Sequence, residues 1–221
     1  MQPPELAKAL LTEAAEWRLL GLLFEYPNPA WREQVHALLP DLLSPGLRLL
    51  GEQALEYATE GLHIALFGPA GTVPIREVTH KDGVQFGYLM AELAAFYDAF
   101  GFSRPRDEAD DHLAVELNFI AYLKMKEAFA LAAGDHRSAK ITADAAGEFV
   151  REHIALFADP LNTRLENFAP DYLIEAGRAI RQRTGASPKS AFPLSTPFTG
   201  DADCEDMSCG AAVAGNDLIQ L

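Results

Sequence analysis

Cysteine is nearly absent from the chain. Of its 221 residues only Cys204 and Cys209 carry a thiol, and both lie near the C-terminus. A small secreted fold that depends on disulfides needs several cysteine pairs, so the sequence excludes that class. The spacing of these two thiols is compatible with a soft-metal site or a disulfide, but no second ligand pair accompanies them. We therefore favour an inert segment and predict no metal site.

Basic side chains are scarce as well. The chain has 18 lysines and arginines against 32 aspartates and glutamates, which gives a formal net charge of −14. A surface this acidic repels phosphate backbones, so nucleic acid is not an expected partner. It would attract a basic peptide, although the plainer interpretation is that the charge keeps the protein in solution.

Long apolar runs and targeting signals are missing. Charged residues interrupt the apolar stretches well before the roughly 18 residues that a membrane span needs. The start of the chain, Met1 to Glu5, contains no basic residue of the kind that opens a signal peptide. We therefore predict a cytoplasmic protein without a membrane span.

Common enzyme signatures are also absent. The chain contains no GxxxxGK[ST] phosphate loop, no GxGxxG, no GxSxG and no HExxH motif. The glycine-rich stretch at residues 67–71 lacks the lysine that a phosphate loop uses. No two of the six histidines stand four residues apart, the spacing of a helical metal pair. We predict that the protein is not an enzyme and has no catalytic residue and no cofactor.

Helical periodicity dominates what is present, and it predicts an all-α, single-domain helical bundle. The most apolar helix is expected at the centre of the bundle. Ser138 is expected to cap a helix and Asp159–Pro160 to end one. The predicted helices cover about residues 5–25, 29–43, 47–67, 83–100, 111–133, 139–158 and 170–183.

The composition changes after Thr184, where proline, glycine and serine replace the periodic apolar residues. We therefore predict a helical domain over residues 1–184 and a mobile tail over residues 185–221 that contains both cysteines. Long helices joined by loops are compatible with a monomer or a homodimer.

A long irregular segment interrupts the helices. Glycine and proline punctuate residues 67–74, and the loop is predicted to continue to about residue 82. Val73, Ile75 and Val78 could pack it against the bundle. Ordered loops of this length are often functional. Gly101 is expected to end the helix that follows the loop.

An acidic segment precedes the central helix. Asp107, Glu108, Asp110 and Asp111 crowd around its start, followed by His112. Acids at a helix N-terminus complement the helix dipole, which is sufficient reason for one or two of them. The alternative is an acidic rim that receives arginines through paired hydrogen bonds, with the histidine ordering a carboxylate or responding to pH. The residues alone leave both interpretations open.

At this segment the sequence resembles a known family. Residues 108–119 read EADDHLAVELNF, which is similar to the pattern ExPDHLxxxLxF of the TorD–DmsD–NarJ group of redox-enzyme maturation chaperones. The FGPAG stretch at 67–71, followed by Pro74 and Glu77, is similar to the turn upstream of that pattern. Tyr97 and Gly101 match further positions, and FVREHI at 149–154 resembles the group's FxxEHL helix. Three departures are Asp110 in place of proline, Phe157 in place of tryptophan, and the non-aromatic stretch at residues 78–80.

The resemblance implies an all-helical chaperone that binds the apo catalytic subunit of a DMSO-reductase-family molybdoenzyme, often through its twin-arginine signal peptide. A client peptide would lay an apolar face in a groove and place its arginines on an acidic edge. The implied client-binding residues are Glu77, Tyr97, Glu108, Asp111, His112 and Glu116. Glu152 and His153 either join this surface or form a structural pair, with His153 as a core histidine. The competing hypotheses are a helical adaptor that binds a partner helix, and a small enzyme that uses the acid–histidine cluster for acid–base chemistry.

Overall fold

The computed structural model describes residues 3–81, 86–104 and 108–185, with side chains from residue 5 onward. Within these ranges the protein is all-α, as predicted, and the one extended pairing is an isolated antiparallel bridge between Arg76 and His112. Asp107, the predicted tail beyond residue 185 and both cysteines lie outside the described residues. The described helices include none that is long and apolar enough to cross a membrane.

Most helices follow one another with short connections, and longer segments separate α4 from α5 and α5 from α6. The α-helices are α1 (Pro3–Leu22), α2 (Pro29–Leu38), α3 (Pro45–Tyr57), α4 (Glu60–Phe67), α5 (Phe86–Phe100), α6 (Leu113–Ala132), α7 (His136–Phe149), α8 (Ala155–Phe168) and α9 (Asp171–Thr184). Short 3₁₀ turns occur at Leu39–Asp41 and Glu77–His80, and a π turn at Val150–Ile154 joins α7 to α8.

Side-chain caps decide where several helices begin. The prediction of one helix over residues 47–67 was wrong, because Thr59 adopts an extended backbone and its hydroxyl accepts a hydrogen bond from Leu62 N at 3.1 Å. That cap starts α4 as a separate helix. The Arg32 guanidinium donates to the carbonyls of Leu55 and Ala58, which satisfies acceptors that the end of α3 leaves without a partner.

The prediction for the C-terminal helices was wrong at two points. Asp135, not Ser138, caps α7, since its carboxylate accepts a hydrogen bond from Ser138 N. Pro160 does not end a helix but lies inside α8. An interior proline costs about 3 kcal/mol. Burial of Phe157 before it and of Leu161 and Leu165 after it keeps the helix packed on both sides.

α6 occupies the centre of the bundle, as its apolar sequence predicts, and most of its first three turns are buried. It packs along α1, where Gly21 permits a close approach. A Cβ added at Gly21 would lie 2.4 Å from Asn118 Oδ1 and 3.3 Å from the Ala114 carbonyl oxygen. Near the other end of the pair, Ala7 and Leu10 of α1 pack on Ala128 of α6.

The long connection between α4 and α5 is fastened to the start of α6. Glu77 N donates to the Asp111 carbonyl and Leu113 N donates to the Ile75 carbonyl, each at 2.9 Å. Val73 and Ile75 are buried and Val78 packs partly on the core, as predicted. Gly101 ends α5 with φ +67, which confirms its predicted role.

Candidate functional site

An open groove runs between α1 and α6 on one side of the central helix. It encloses about 660 Å³ and is lined mostly by apolar side chains. The residues that line it are Leu11, Ala14, Ala15, Arg18, Glu25, Tyr26, Asn28, Leu38, Phe102, Ser103, Glu108, Ala114, Val115, Asn118, Ala121, Tyr122 and Met125. A groove of this size and polarity is the kind of surface that takes the apolar face of a peptide helix.

One end of the groove carries a polar triad, formed by Arg18, Glu25 and Asn118. Arg18 Nη1 lies 2.5 Å from Glu25 Oε1 and 2.6 Å from Asn118 Oδ1, and Asn118 Nδ2 donates to Glu25 Oε1 at 2.7 Å. Arg18 Nη2 also donates to Gln34 Oε1. The side chains of Arg18 and Glu25 are 30% and 28% exposed, so the triad is ordered by its partners and still reaches solvent.

Glu108 lies at the same end of the groove. Its side chain is 45% exposed, and its Oε1 is 3.8 Å from Nε2 of His112. Tyr26, which also lines the groove, donates its hydroxyl to Glu60 Oε2 at 2.7 Å. The predicted acidic segment therefore reaches the groove through Glu108.

His112 forms the start of α6. Its Nδ1 accepts a hydrogen bond from Ala114 N at 3.1 Å, so the imidazole caps the helix. Burial lowers the pKa of His112 to about 4, against the opposing influence of the Asp111 and Glu25 charges. The ring is therefore neutral at pH 7, and protonation at Nδ1 would remove the cap.

Asp111 is buried, and its carboxylate forms an ion pair with Arg76 of the same chain. Its Oδ1 accepts from Arg76 Nε at 2.8 Å and from Arg76 Nη2 at 2.5 Å, and its Oδ2 accepts from Val78 N at 3.3 Å. The Arg76 side chain stays 40% exposed while Asp111 is fully buried. This carboxylate fastens the connection between α4 and α5 to α6.

Four charged or titratable side chains form a buried cluster on the far side of α6, which we define as Glu77, Lys81, Glu116 and His153. Nδ1 of His153 lies 3.0 Å from Glu77 Oε2, and Lys81 Nζ lies 2.5 Å from Glu77 Oε1. Burial alone would raise the pKa of Glu77, but the hydrogen bond with His153 and the Lys81 charge lower it below its usual value. The Glu77 carboxylate is thus held in its charged form.

Glu116 has the opposite environment within the same cluster. It is fully buried, and neither carboxylate oxygen has a hydrogen-bond partner among the described residues. Burial, followed by the nearby charges of Glu77 and Asp111, raises the pKa of Glu116 well above its usual value. His153 Nε2 is likewise buried and without a hydrogen-bond partner in the described part of the chain.

Tyr97 lies under the start of α6, where it is fully buried. Its hydroxyl donates to the Asp110 carbonyl at 2.8 Å, and its ring packs edge-on against Phe119 at 4.8 Å between centroids. Burial and the surrounding carboxylates raise the pKa of Tyr97. Its hydroxyl supports the backbone just before the helix cap.

The structure brings the six predicted site residues to the first turns of α6 but divides them by exposure. Glu108 and the edge of His112 reach the surface, whereas Glu77, Tyr97, Asp111 and Glu116 lie in the interior. Glu152 is on the surface with Arg151. The sequence did not single out Arg18, Glu25 or Asn118. The signal that could have found two of them is a polar residue inside an otherwise apolar helical stretch, as at Arg18 and Asn118.

The described residues contain no group of three or more histidine, cysteine, aspartate or glutamate side chains placed to hold a metal ion. The buried cluster has only carboxylates and one histidine around a lysine, and the lysine already supplies its positive charge.

Comparison of the amino-acid sequence with known protein families identifies the class of this helical protein. Residues 29–163 match the nitrate reductase delta subunit family, so the chain belongs to that family. The matched range includes the cap of α6 and the buried cluster. Membership confirms the predicted relationship to the TorD–DmsD–NarJ group.

Two characterised relatives align over most of the chain. It is 29% identical to the chlorate reductase assembly chaperone protein of Ideonella dechloratans over 187 residues, which are 80% of this chain and 92% of that protein. It is 28% identical to the selenate reductase assembly chaperone protein of Thauera selenatis over 160 residues, which are 69% of this chain and 76% of that protein.

Proposed function

We propose that this protein is an assembly chaperone that binds the apo catalytic subunit of a DMSO-reductase-family molybdoenzyme in the cytoplasm. It would hold the subunit during cofactor insertion, folding and assembly, and release it without chemical turnover. The family and the names of both relatives support this function.

The observation that carries the proposal is the open groove between α1 and α6. Its floor is apolar along both helices, and its charged lining residues are gathered at one end. A helical segment of the client, such as its N-terminal signal peptide, could bury an apolar face there. The net charge of −14 favours approach of a basic segment.

The predicted site residues take two different roles in this proposal. Glu108 contacts the bound segment directly, because its carboxylate lies at the groove. His112 and Asp111 fix the start of α6 and the connection packed on it. Tyr97, Glu77 and Glu116 act from the interior, where they support the backbone that carries Glu108.

Co-purification tests the proposal. The tagged chain is expressed in its native host, and the bound proteins are identified by mass spectrometry. The variant Leu11→Glu places a charge on the groove, and Ile141→Glu places the same charge on α7, at a side chain of similar exposure. We expect a molybdoenzyme catalytic subunit to accompany the wild type and the α7 variant but not the groove variant.

Other results would contradict the proposal. Recovery of an unrelated partner would favour a helical adaptor. Recovery of the catalytic subunit with both variants alike would place the binding surface elsewhere. Normal molybdoenzyme activity in a strain that lacks the gene would remove the maturation role.

A further inference from the structure

We infer that Glu25, held in place by Arg18 and Asn118, is the residue that sets the charge preference of the groove. It would receive one basic side chain of the bound segment, which would be an amphipathic helix with a lysine or arginine near one end. This inference rests on the proposed function and goes beyond it by naming the chemistry of the occupant.

The hydrogen bonds of Glu25 leave one oxygen for a ligand. Among the described residues, Arg18 Nη1 and Asn118 Nδ2 both bond to Oε1, at 2.5 Å and 2.7 Å. No described hydrogen bond ends on Oε2. Two donors on one oxygen fix the orientation of the carboxylate, and a carboxylate has about four acceptor positions in total. Oε2 is therefore held in a fixed orientation and keeps its acceptor capacity, in a residue that lines the groove.

The charges of the groove favour a cation. The described part of its lining contains two carboxylates, of Glu25 and Glu108, and one guanidinium, of Arg18. His112 adds no positive charge beside them at pH 7, because its pKa is lowered to about 4. The other lining residues that the structure describes are uncharged. Acidic groups therefore outnumber basic ones in the described lining, which favours a cationic side chain over an anionic one.

The position of the charges also specifies how the occupant lies. The groove follows α6 from Ala114 to Met125. At 1.5 Å per residue this is roughly 16 Å, or about three helical turns. Glu25 and Asn118 lie toward the Ala114 end, and Leu11 and Met125 form the apolar opposite end. The occupant would therefore carry its basic residue at one end of an apolar face of about three turns.

The close approach of α1 and α6 clamps the positioning residue Asn118. A Cβ at Gly21 would come within 2.4 Å of its side-chain oxygen, so the amide fills the space left by the glycine. Arg18 holds the same oxygen at 2.6 Å. Both contacts restrict the amide, and the amide in turn orients Glu25.

Two fluorescent synthetic peptides of about four helical turns test the inference with the purified full-length chain. Both carry leucines at helical spacing, and they differ in a single terminal residue, arginine in one and glutamine in the other. Binding is measured by fluorescence anisotropy at low and high salt. We expect the wild type to prefer the arginine peptide by roughly three- to tenfold at low salt. The preference should shrink at high salt.

Variants separate the specific role from a structural one. Glu25→Gln should bind both peptides with the same affinity, and Asn118→Ala should reduce the preference for the arginine peptide over the glutamine peptide. Glu13→Gln is the matched control, since this acid of α1 pairs with Lys124 and does not line the groove. Thermal unfolding of each variant shows that it is folded.

Each outcome of the peptide experiment decides one question. Equal affinity of the wild type for both peptides, or an undiminished preference in Glu25→Gln, overturns the role of Glu25 and leaves the chaperone function intact. Failure of the wild type to bind either peptide contradicts the groove itself as a site for helical segments. Co-purification then decides whether a client binds elsewhere.

Discussion

The charged side chains on the two sides of α6 differ in their exposure to solvent. On the groove side, Arg18 and Glu25 pair while roughly a third of each side chain remains in contact with solvent. On the other side, Glu77 from the connection between α4 and α5 is fully buried, as are His153 and Glu116. The buried charges can hold elements together but cannot meet a ligand without a change in the fold. The partly exposed charges of Arg18 and Glu25 can contact a ligand without a change in the fold.

The energetic difference between the two regions is large. Removing one member of a buried ion pair leaves an uncompensated charge and costs about 3–5 kcal/mol. An exposed pair contributes about 0–1 kcal/mol, because water screens it and both side chains lose freedom. Stability measurements should therefore separate the buried cluster from the polar triad.

Glu77→Ala should give the largest effect. It removes the carboxylate that Lys81 and His153 share, so the free energy of unfolding should fall by about 3–5 kcal/mol. Urea unfolding at pH 7 measures this loss. The control Glu77→Gln keeps the shape and one acceptor and should lose less. A loss below about 1 kcal/mol in Glu77→Ala would mean that the cluster behaves like a surface pair.

His112 should make stability depend on pH. Its pKa in the folded protein is about 4, below the unfolded value of 6.5, so its contribution is present above pH 6.5 and is lost as pH falls toward 4. We expect a loss of roughly 1–3 kcal/mol between these limits. His112→Asn can keep a side-chain cap without titrating. Its urea midpoints should fall less with acid. The remaining slope includes His63, whose pKa burial lowers to about 4, and His80, whose pKa burial also lowers.

Gly21→Ala should test the close packing of α1 on α6. The added methyl group meets Asn118 Oδ1, and overpacking of this kind costs about 1–3 kcal/mol. The better helix propensity of alanine offsets about 1 kcal/mol of that cost. A modest net loss is expected in thermal unfolding, together with a weaker preference for the arginine peptide. Gly61→Ala is the control, because nothing lies within 4 Å of its added Cβ.

Glu116→Gln should reduce the loss of stability that the wild type shows as pH rises. Because burial raises the pKa of Glu116, the folded state holds this proton more tightly than the unfolded chain, and its contribution is lost as pH rises. Glutamine cannot ionise, so the variant should gain stability over the wild type as pH increases. Identical slopes for the two proteins between pH 5 and pH 9 would show that Glu116 holds its proton no more tightly in the folded protein than in the unfolded chain, so that folding does not raise its pKa.

Glu25→Gln should give the smallest change in stability, less than about 1 kcal/mol, since its pair with Arg18 is partly exposed. Its effect should appear instead in binding. A large stability loss here would make the polar triad a structural element like the buried cluster and erase the contrast between the two sides of α6.

The all-α class and the order of most helices could be predicted because apolar residues recur with helical spacing along the chain. Thr59 and Pro160 were misjudged for different reasons. The break at Thr59 depends on one hydroxyl, and the continuation through Pro160 depends on burial that only the assembled bundle supplies.

The sequence located the candidate site along the chain but did not reveal which of its residues are buried. The start of α6 stood out because of its acids and His112. The burial of Asp111 and Glu116 depends on the connection that folds over them and is fastened by Arg76, and local sequence does not report that contact. The polar triad joins residues 93 and 100 positions apart, so no local pattern contains it.

The π turn at Val150–Ile154 has a consequence for chain length. It joins α7 to α8 without a break and adds residues to a turn of an otherwise regular helix. Deleting one residue there would rotate all of α8 by about 100° about its axis. Phe157, Leu161 and Leu165 would leave the core together, and His153 would leave Glu77. The side chain of Arg151 is exposed, so we expect its substitution to cost little stability. We therefore expect an insertion or deletion in this segment to destabilise the protein more than the substitution of a single side chain there.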